Sequence, residues 1–317
     1  MSILETALHL LASHCPRWLI KKIAWRYIAG EDREELLQLI DVLHRDGLLT
    51  TVDFLGEDAD SASGVRAAVD EYLRLLEALA SRASRSQVSV KLSLLGLRLS
   101  EGQALDSLLE VVTLAARLGL GVCIDMEDSS TTDATLRCFR RAREKHDGVA
   151  VAIQACLRRS SDDVASLLPL CPTIRLCKGI YREPASVAYQ DFQEVRRSYV
   201  ELLRQVLSGG GIPAIATHDP WLVSAALAEI KSRALGPGGH EFQMLLGVGE
   251  SLRPAIRAAG SPLRLYCPYG RSWHAYSLRR FRENPRLLRY VAASLFSRPR
   301  SRRAAPPARA RERQEAR

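Results

Sequence analysis

Apolar residues recur along the chain with two alternating spacings. Short runs dense in Val, Ile and Leu occupy 48–56 (LLTTVDFLG), 88–96 (VSVKLSLLG), 121–127 (GVCIDME), 149–155 (VAVAIQA), 173–179 (TIRLCKG), 212–219 (IPAIATHD), 241–247 (EFQMLLG) and 263–270 (LRLYCPYG). Runs of this kind predict strands buried on both faces, as in a parallel sheet covered by helices. Between them, apolar residues return every three or four positions. Val65, Val69, Leu73, Leu76 and Leu79 share one helical face, and further helices are predicted over 105–119, 131–146, 186–211, 219–235 and 273–296. In the 131–146 stretch, Thr131 and Thr132 are expected to cap the start, with Lys145 and His146 against the negative end.

Eight strand-like runs alternating with helical stretches predict an α/β fold, a (β/α)8 TIM-type barrel. The alternative is an open doubly wound sheet. Eight strands, and the lack of a G-x-G-x-x-G after the first, argue against it. Residues 1–47 read as a helical segment packed on the outside of the barrel, and 48–297 as the barrel itself. Residues 298–317 carry no large apolar side chain and read as a disordered basic tail.

Composition changes this picture little. The 317 residues are 47% hydrophobic and 26% charged, ample for a core. The formal net charge is +9, but Ser297–Arg317 holds eight Arg and two Glu, which leaves about +3 on the rest. The body is therefore nearly balanced, and aromatics at 6% are too sparse for a base-stacking platform, so no nucleic-acid partner is expected. Seven scattered cysteines without a C-x-x-C imply neither a disulfide framework nor a zinc site. No run approaches the roughly 20 apolar residues of a membrane span, and the first 25 residues lack the pattern of a signal peptide. The expected location is cytoplasmic.

In a barrel of this type, chemistry sits at the C-terminal ends of the strands. The polar residues there are Lys91 and Ser93; Asp125, Glu127 and Asp128; Gln154; Arg175 and Lys178; Thr217, His218 and Asp219; Glu241 and Gln243; and Tyr266 and Tyr269. Lys91, Asp125, Arg175 and Lys178 interrupt apolar runs, where an unpaired charge is costly. Lys91 and Asp125 suit either a structural ion pair or a binding site, and Asp219 suits the N-cap of the following helix. With one His and no second at ligand spacing, no metal is expected, and the lack of G-x-S-x-G argues against a serine hydrolase. The basic stretch YSLRRFRENP (276–285) after the eighth strand is either a solvated face or an anion clamp. Taken alone, these residues describe an anion-binding barrel for a phosphate-bearing cofactor, a carboxylate substrate, or both. A barrel enzyme for a phosphorylated substrate, or a non-catalytic anion or nucleic-acid binder using the tail, are the competing readings.

TVDFLGE, SVKLSLLG, CIDMEDS, AIQACLRR, RLCKGIY, AIATHD, EFQMLLGVGE, RLYCPYG and YSLRRFREN, in this order over roughly 48–290, resemble the FAD-dependent, monofunctional proline dehydrogenases. The resemblance implies a distorted barrel with FAD at the C-terminal face and the last helix over the mouth. It implies oxidation of L-proline to Δ1-pyrroline-5-carboxylate, hydride passing from proline C5 to flavin N5 and electrons onward to a quinone. Peripheral contact at the inner face of a membrane is implied too, as is a separate pyrroline-5-carboxylate dehydrogenase. By the same resemblance Asp125 and Arg175 belong to the catalytic centre. Lys91, Tyr266, Tyr276, Arg279, Arg280 and Glu283 form the substrate site, with the two arginines on the carboxylate and Glu283 as their brace. Met126, Gln154, Arg175, Lys178, Gly179, Ile180, Thr217 and His218 match cofactor contacts. Three positions depart from the family pattern. Arg182 stands where an aromatic often stacks on adenine, Ser277 replaces a larger apolar residue, and THDP replaces T-H-N. Tyr266 would crowd a ring hydroxyl, which favours proline over hydroxyproline or another cyclic imino acid.

Overall fold

The structure is a computed structural model that describes residues 17–56, 59–82 and 85–283. In chain order the elements are α1 (Arg17–Ala24), α2 (Arg33–Arg45), β1 (Leu49–Phe54), α3 (Ala62–Ala80), β2 (Ser86–Val90), α4 (Glu101–Leu118), β3 (Gly121–Ile124) and α5 (Thr132–Arg143). They continue with β4 (Val149–Gln154), α6 (Ser160–Leu167), β5 (Thr173–Cys177), α7 (Phe192–Ser208), β6 (Ile212–Ala216), α8 (Pro220–Ser232), β7 (Glu241–Leu245), α9 (Arg253–Ala258), β8 (Leu263–Tyr269) and α10 (Trp273–Glu283). The eight strands are parallel, pair in sequence order and close through β8 on β1. An open doubly wound sheet is thereby excluded.

The main core is a ring between strands and helices. Val52, Val88, Val122, Val151, Ile174, Ile215, Phe242 and Leu265, one from each strand, are all 0% exposed. Side chains alternate along a strand, so the neighbours Asp53, Ser89, Cys123, Ala152, Arg175, Ala214, Gln243 and Tyr266 face the barrel interior. Local chemistry starts and stops the outer helices as expected. Asp32, Ser61, Ser100 and Asp191 accept N-cap hydrogen bonds, and α4 ends on Gly119 at φ +67°.

Several boundaries differ from the sequence reading. β2 stops at Val90, and the apolar LSLLG after it is a set of turns, with Leu94 N donating to Lys91 O and Leu95 N to Leu92 O. Its leucines remain buried, which is why their pattern mimics a strand. Thr131 makes no side-chain cap, and its hydroxyl donates instead to Asp128 O. Lys145 and His146 fall beyond the end of α5, whose last turn carries Arg140, Arg141 and Arg143. The short helices α6 and α9 have no pattern of their own long enough to single out.

The two ends of the chain set the distortion. α2 packs on β1 and β8 through buried Leu36, Leu37, Ile40 and Leu43, on the barrel wall between the last and first strands. The helix following β8 would ordinarily cover that wall. Here α10 packs instead at the C-terminal rim, where Trp273, Tyr276 and Leu278 join Leu55 after β1 and Leu245 and Val248 at the end of β7. α1 rests on α10 and the adjoining rim, also on the outside of the barrel. Gly247 makes room for this entry, since at φ +68° a Cβ there would stand 2.0 Å from Arg26 O. The basic tail lies outside the described residues.

Candidate active site

The barrel interior holds a charged network where a packed apolar filling is usual. Arg175 on β5 reaches three other strands or their ends. Its Nη1 donates to Asp125 Oδ1 just beyond β3 and to Ser89 Oγ on β2 (3.0 Å), and its Nε donates to Gln243 Oε1 on β7 (2.7 Å). Non-adjacent strands can meet this way only across the lumen. Ser89 Oγ also donates to Asp125 Oδ1 (2.6 Å), and Tyr266 OH on β8 to Asp125 Oδ2 (2.8 Å). Lys91, one residue beyond β2, bonds Asp53 on β1 and lies 3.4 Å from Asp125 Oδ2. The Arg175 guanidinium carbon is 5.3 Å from the Tyr266 ring centroid.

Counted formally, two carboxylates and two cations balance in this cluster, which is what permits its burial; burial pushes the Asp53 carboxyl above its ordinary range against the pull of Lys91. Burial alone would raise the Asp125 pKa, but Lys91 and Arg175, with the Ser89 and Tyr266 hydrogen bonds, outweigh it and hold the carboxyl below its ordinary range. Burial disfavours the Lys91 ammonium, yet Asp53 and Asp125 carry its pKa upward on balance. Burial, then the adjacent Asp125 and Asp53, push the Tyr266 phenol up, so it stays a donor. Arg175 Nη2 is buried without a hydrogen-bond partner among the described residues.

A second polar group sits at the ends of β3 to β7. Gln154 Nε2 donates to Glu127 O (2.8 Å), while Glu127 accepts from Ser93 N (3.1 Å) and from Ser93 Oγ. Gly179, at φ +99°, is close to Gln154 and Cys156, and a Cβ would stand 2.2 Å from Cys156 Sγ. Lys178 Nζ lies 3.3 Å from Asp219 Oδ2, which Arg196 also holds (2.9 Å). Asp219 caps α8 through Trp221 N (3.1 Å), while its own N–H donates to buried Thr217 Oγ1 (3.1 Å). His218 Nε2 accepts from Leu245 N (2.8 Å), so the ring proton sits on Nδ1. A cavity of about 380 Å³ opens beside Gly179, lined by Cys156, Tyr181, Arg182, Glu183, Tyr189 and Gln190 among others.

His218 yields a pH prediction. Burial, then Lys178 and Arg253, lower its pKa from 6.5 to about 4. A group depressed in the fold takes up its proton more readily when unfolded, so stability falls as pH drops from 6.5 toward 4. Between pH 7 and pH 5 this one group is expected to remove about 2 kcal/mol. His218→Gln keeps an acceptor for Leu245 N, and its urea-unfolding free energy should fall by that much less over the same interval. Equal losses in both proteins would refute the assignment.

The structure brings Lys91, Asp125, Arg175 and Tyr266 into one network. Met126 is buried at the end of β3, and Ile180 follows Gly179. Tyr276 is buried on α10 with the Arg280 guanidinium 5.2 Å from its ring centroid. The side chains of Arg279 and Glu283 lie outside the described residues. Tyr269, although at a strand end, is not in the mouth; it faces α3 and donates to Glu71 (2.8 Å). Asp53 and Ser89 escaped the sequence reading. Each lies two residues from a recognised polar position or inside an apolar run, so a search of strand interiors for polar residues in the inward phase would have found them. Among the described residues no His, Cys, Asp and Glu side chains cluster as a metal site, and no helix is long and apolar enough to cross a membrane.

Fold and site together define a class: a (β/α)8-barrel enzyme whose C-terminal mouth carries a buried Asp–Lys–Asp–Arg cluster with the final helix on its rim. Comparison with known proteins narrows it. The family model described as proline dehydrogenase matches residues 36–291. The proline dehydrogenase of Deinococcus radiodurans is 36% identical over 279 residues, covering 86% of this chain and 90% of that protein. Proline dehydrogenase 1 of Bacillus subtilis is 32% identical over 273 residues, with the same coverage. The proline utilization A structure from Bdellovibrio bacteriovorus, inactivated by N-propargylglycine, superimposes with a TM-score of 0.79. At 24% identity, that match covers 95% of this chain and 37% of that one, and it bears on the fold alone. The chain belongs to the proline dehydrogenase family, flavin-dependent oxidoreductases of proline catabolism.

Proposed function

We propose that this protein oxidises L-proline to Δ1-pyrroline-5-carboxylate using FAD, with a quinone as electron acceptor and a separate dehydrogenase taking the product. The observation that carries this reading is the buried Asp53–Lys91–Asp125–Arg175 cluster beneath Tyr266, in a chain of this family. The flavin would supply the hydride acceptor. The residues present fit such a group. Among the described residues Arg175 Nη2 is buried with no partner, ready for an acceptor atom. Lys178 and His218 Nδ1 add donors, Gln154 and Thr217 add polar contacts, and Met126, Gly179 and Ile180 line the approach. Arg182 beside the Gly179 cavity offers a guanidinium plane for the far end of the cofactor.

The chain's own groups then have separable tasks. Arg279 and Arg280 take the carboxylate, and Glu283, a helical turn away, braces them. Held at that end, the ring loses much of its rotational freedom, so binding energy is converted into orientation. Tyr266, fixed by Asp125, packs the ring and leaves no room for a hydroxyl on it, which favours proline over hydroxyproline. Lys91 stays protonated at neutral pH because Asp53 and Asp125 hold its proton. It therefore orients and balances charge, and the proton from the proline nitrogen passes to water. With a flavin bound, Arg175 would be a cation beside the group that accepts negative charge. Peripheral contact with a membrane follows from the quinone acceptor. The anaerobic spectral test at the end of the Discussion examines this reading directly.

A further inference from the structure

Among the described residues, nothing packs on one face of α1. Ile20 and Ala24, four residues apart, are buried at 2% and 0% in the small apolar cluster with Trp273 and Tyr276. At about 100° per residue, Trp18 projects about 160° away from Ile20, with Lys22 one turn further along the same outer face. Trp18 is 68% exposed, the most exposed large apolar side chain among the described residues. Nothing acidic occurs between positions 17 and 30, while Arg17, Lys21, Lys22 and Arg26 are all cationic. Lys21 pairs with Glu31 at the edge and stacks on Trp25, 4.4 Å from its ring centroid. An exposed indole set among cations suits the headgroup level of an anionic bilayer. There the ring sits at the water–lipid boundary, and each cation gains from the surface potential.

We propose that α1 is a docking face for an anionic lipid bilayer, with Trp18 entering the interface and Lys22 on the headgroups. The proposal rests on the reading that electrons leave for a membrane quinone, and it names the surface that would bring the protein there. α1 packs on α10, which lies on the rim of the site, so a bilayer against α1 lies beside the mouth. A second copy of the chain fits this face poorly. A two-fold contact brings a patch against itself and would set Lys22 against its own copy with no acidic side chain on the same face to answer it.

The test uses full-length protein and vesicles of phosphatidylglycerol with phosphatidylcholine, or of phosphatidylcholine alone. Co-sedimentation is expected with the anionic vesicles at low salt and to weaken as salt rises. Trp18→Ala combined with Lys22→Ala should loosen that binding about tenfold. Its proline turnover with a soluble dye should stay at the unaltered level, while turnover with vesicle-borne quinone falls. Brominated acyl chains should quench tryptophan emission of the native sequence more than that of Trp18→Phe. Unchanged vesicle binding and quenching in both variants would overturn the proposal, as would a change of sedimenting mass without lipid, which would mark a copy–copy face. If turnover is absent with every acceptor while vesicle binding still depends on Trp18, the functional reading fails and the docking face stands.

Discussion

Replacing Arg175 by methionine should reduce turnover of proline at least 100-fold in a protein that still folds as a barrel. One guanidinium holds Asp125, Ser89 and Gln243 from three directions and keeps a fourth donor unused. Methionine fills similar volume but supplies none of these bonds. Loss of one preorganised donor to developing charge costs about 10²–10³ in rate, and the loss here should appear in kcat, because the group acts on the charge that arrives during reaction. Asp125 keeps Lys91, Ser89 and Tyr266, so the stability loss should stay at or below the roughly 3–5 kcal/mol of a fully orphaned buried charge. Circular dichroism and urea unfolding would separate the two effects. Arg175→Lys retains the charge but not the fork and should fall between the two. Wild-type turnover in Arg175→Met would remove the network from the mechanism.

Arg280→Met should act on the other kinetic constant. Its guanidinium lies against the Tyr276 ring on the rim helix, which limits the directions it can take. A charge-assisted hydrogen bond is worth about 1.5–3 kcal/mol, so KM for proline should rise about 10- to 100-fold, and Arg279→Met should behave alike. kcat should fall by less, since the carboxylate is held equally in ground and transition states. Substrates without a carboxylate should be poor for the native protein and no poorer for the variant. A KM unchanged in both variants would exclude the arginine pair from the substrate site.

The fold could be read in the sequence because one residue per strand reports the outer phase directly. Val52, Val88, Val122 and their counterparts lie in runs too apolar for anything but a doubly covered strand. Lys91, Asp125 and Arg175 were visible for the opposite reason, as charges where the pattern leaves no room for them. Asp53 carries the same signal, but apolar Phe54 and Leu55 follow it, so it does not stand at the end of its run. Ser89 is small enough to pass as filler until Arg175 is seen reaching it from across the barrel. That reach is a property of closure, and no local spacing encodes it. The exchange at the chain ends is hidden from periodicity, and only the family resemblance puts the last helix over the mouth. α2 and α10 both have an amphipathic pattern, and nothing in either says which covers the wall and which covers the rim. Small cues exist in Gly247, which admits the turn at Arg26, and in Ser277, whose buried hydroxyl donates to Trp273 O inside α10. Their meaning depends on partners more than two hundred residues away or on a neighbouring turn.

The measurement closest to the central claim is the visible absorption spectrum of the purified, FAD-reconstituted protein with and without proline under anaerobic conditions. Expected is a yellow protein with a flavin band that proline bleaches, that a quinone restores, and that hydroxyproline changes more slowly. A protein that takes up no flavin, or a flavin band that proline leaves untouched, would contradict it.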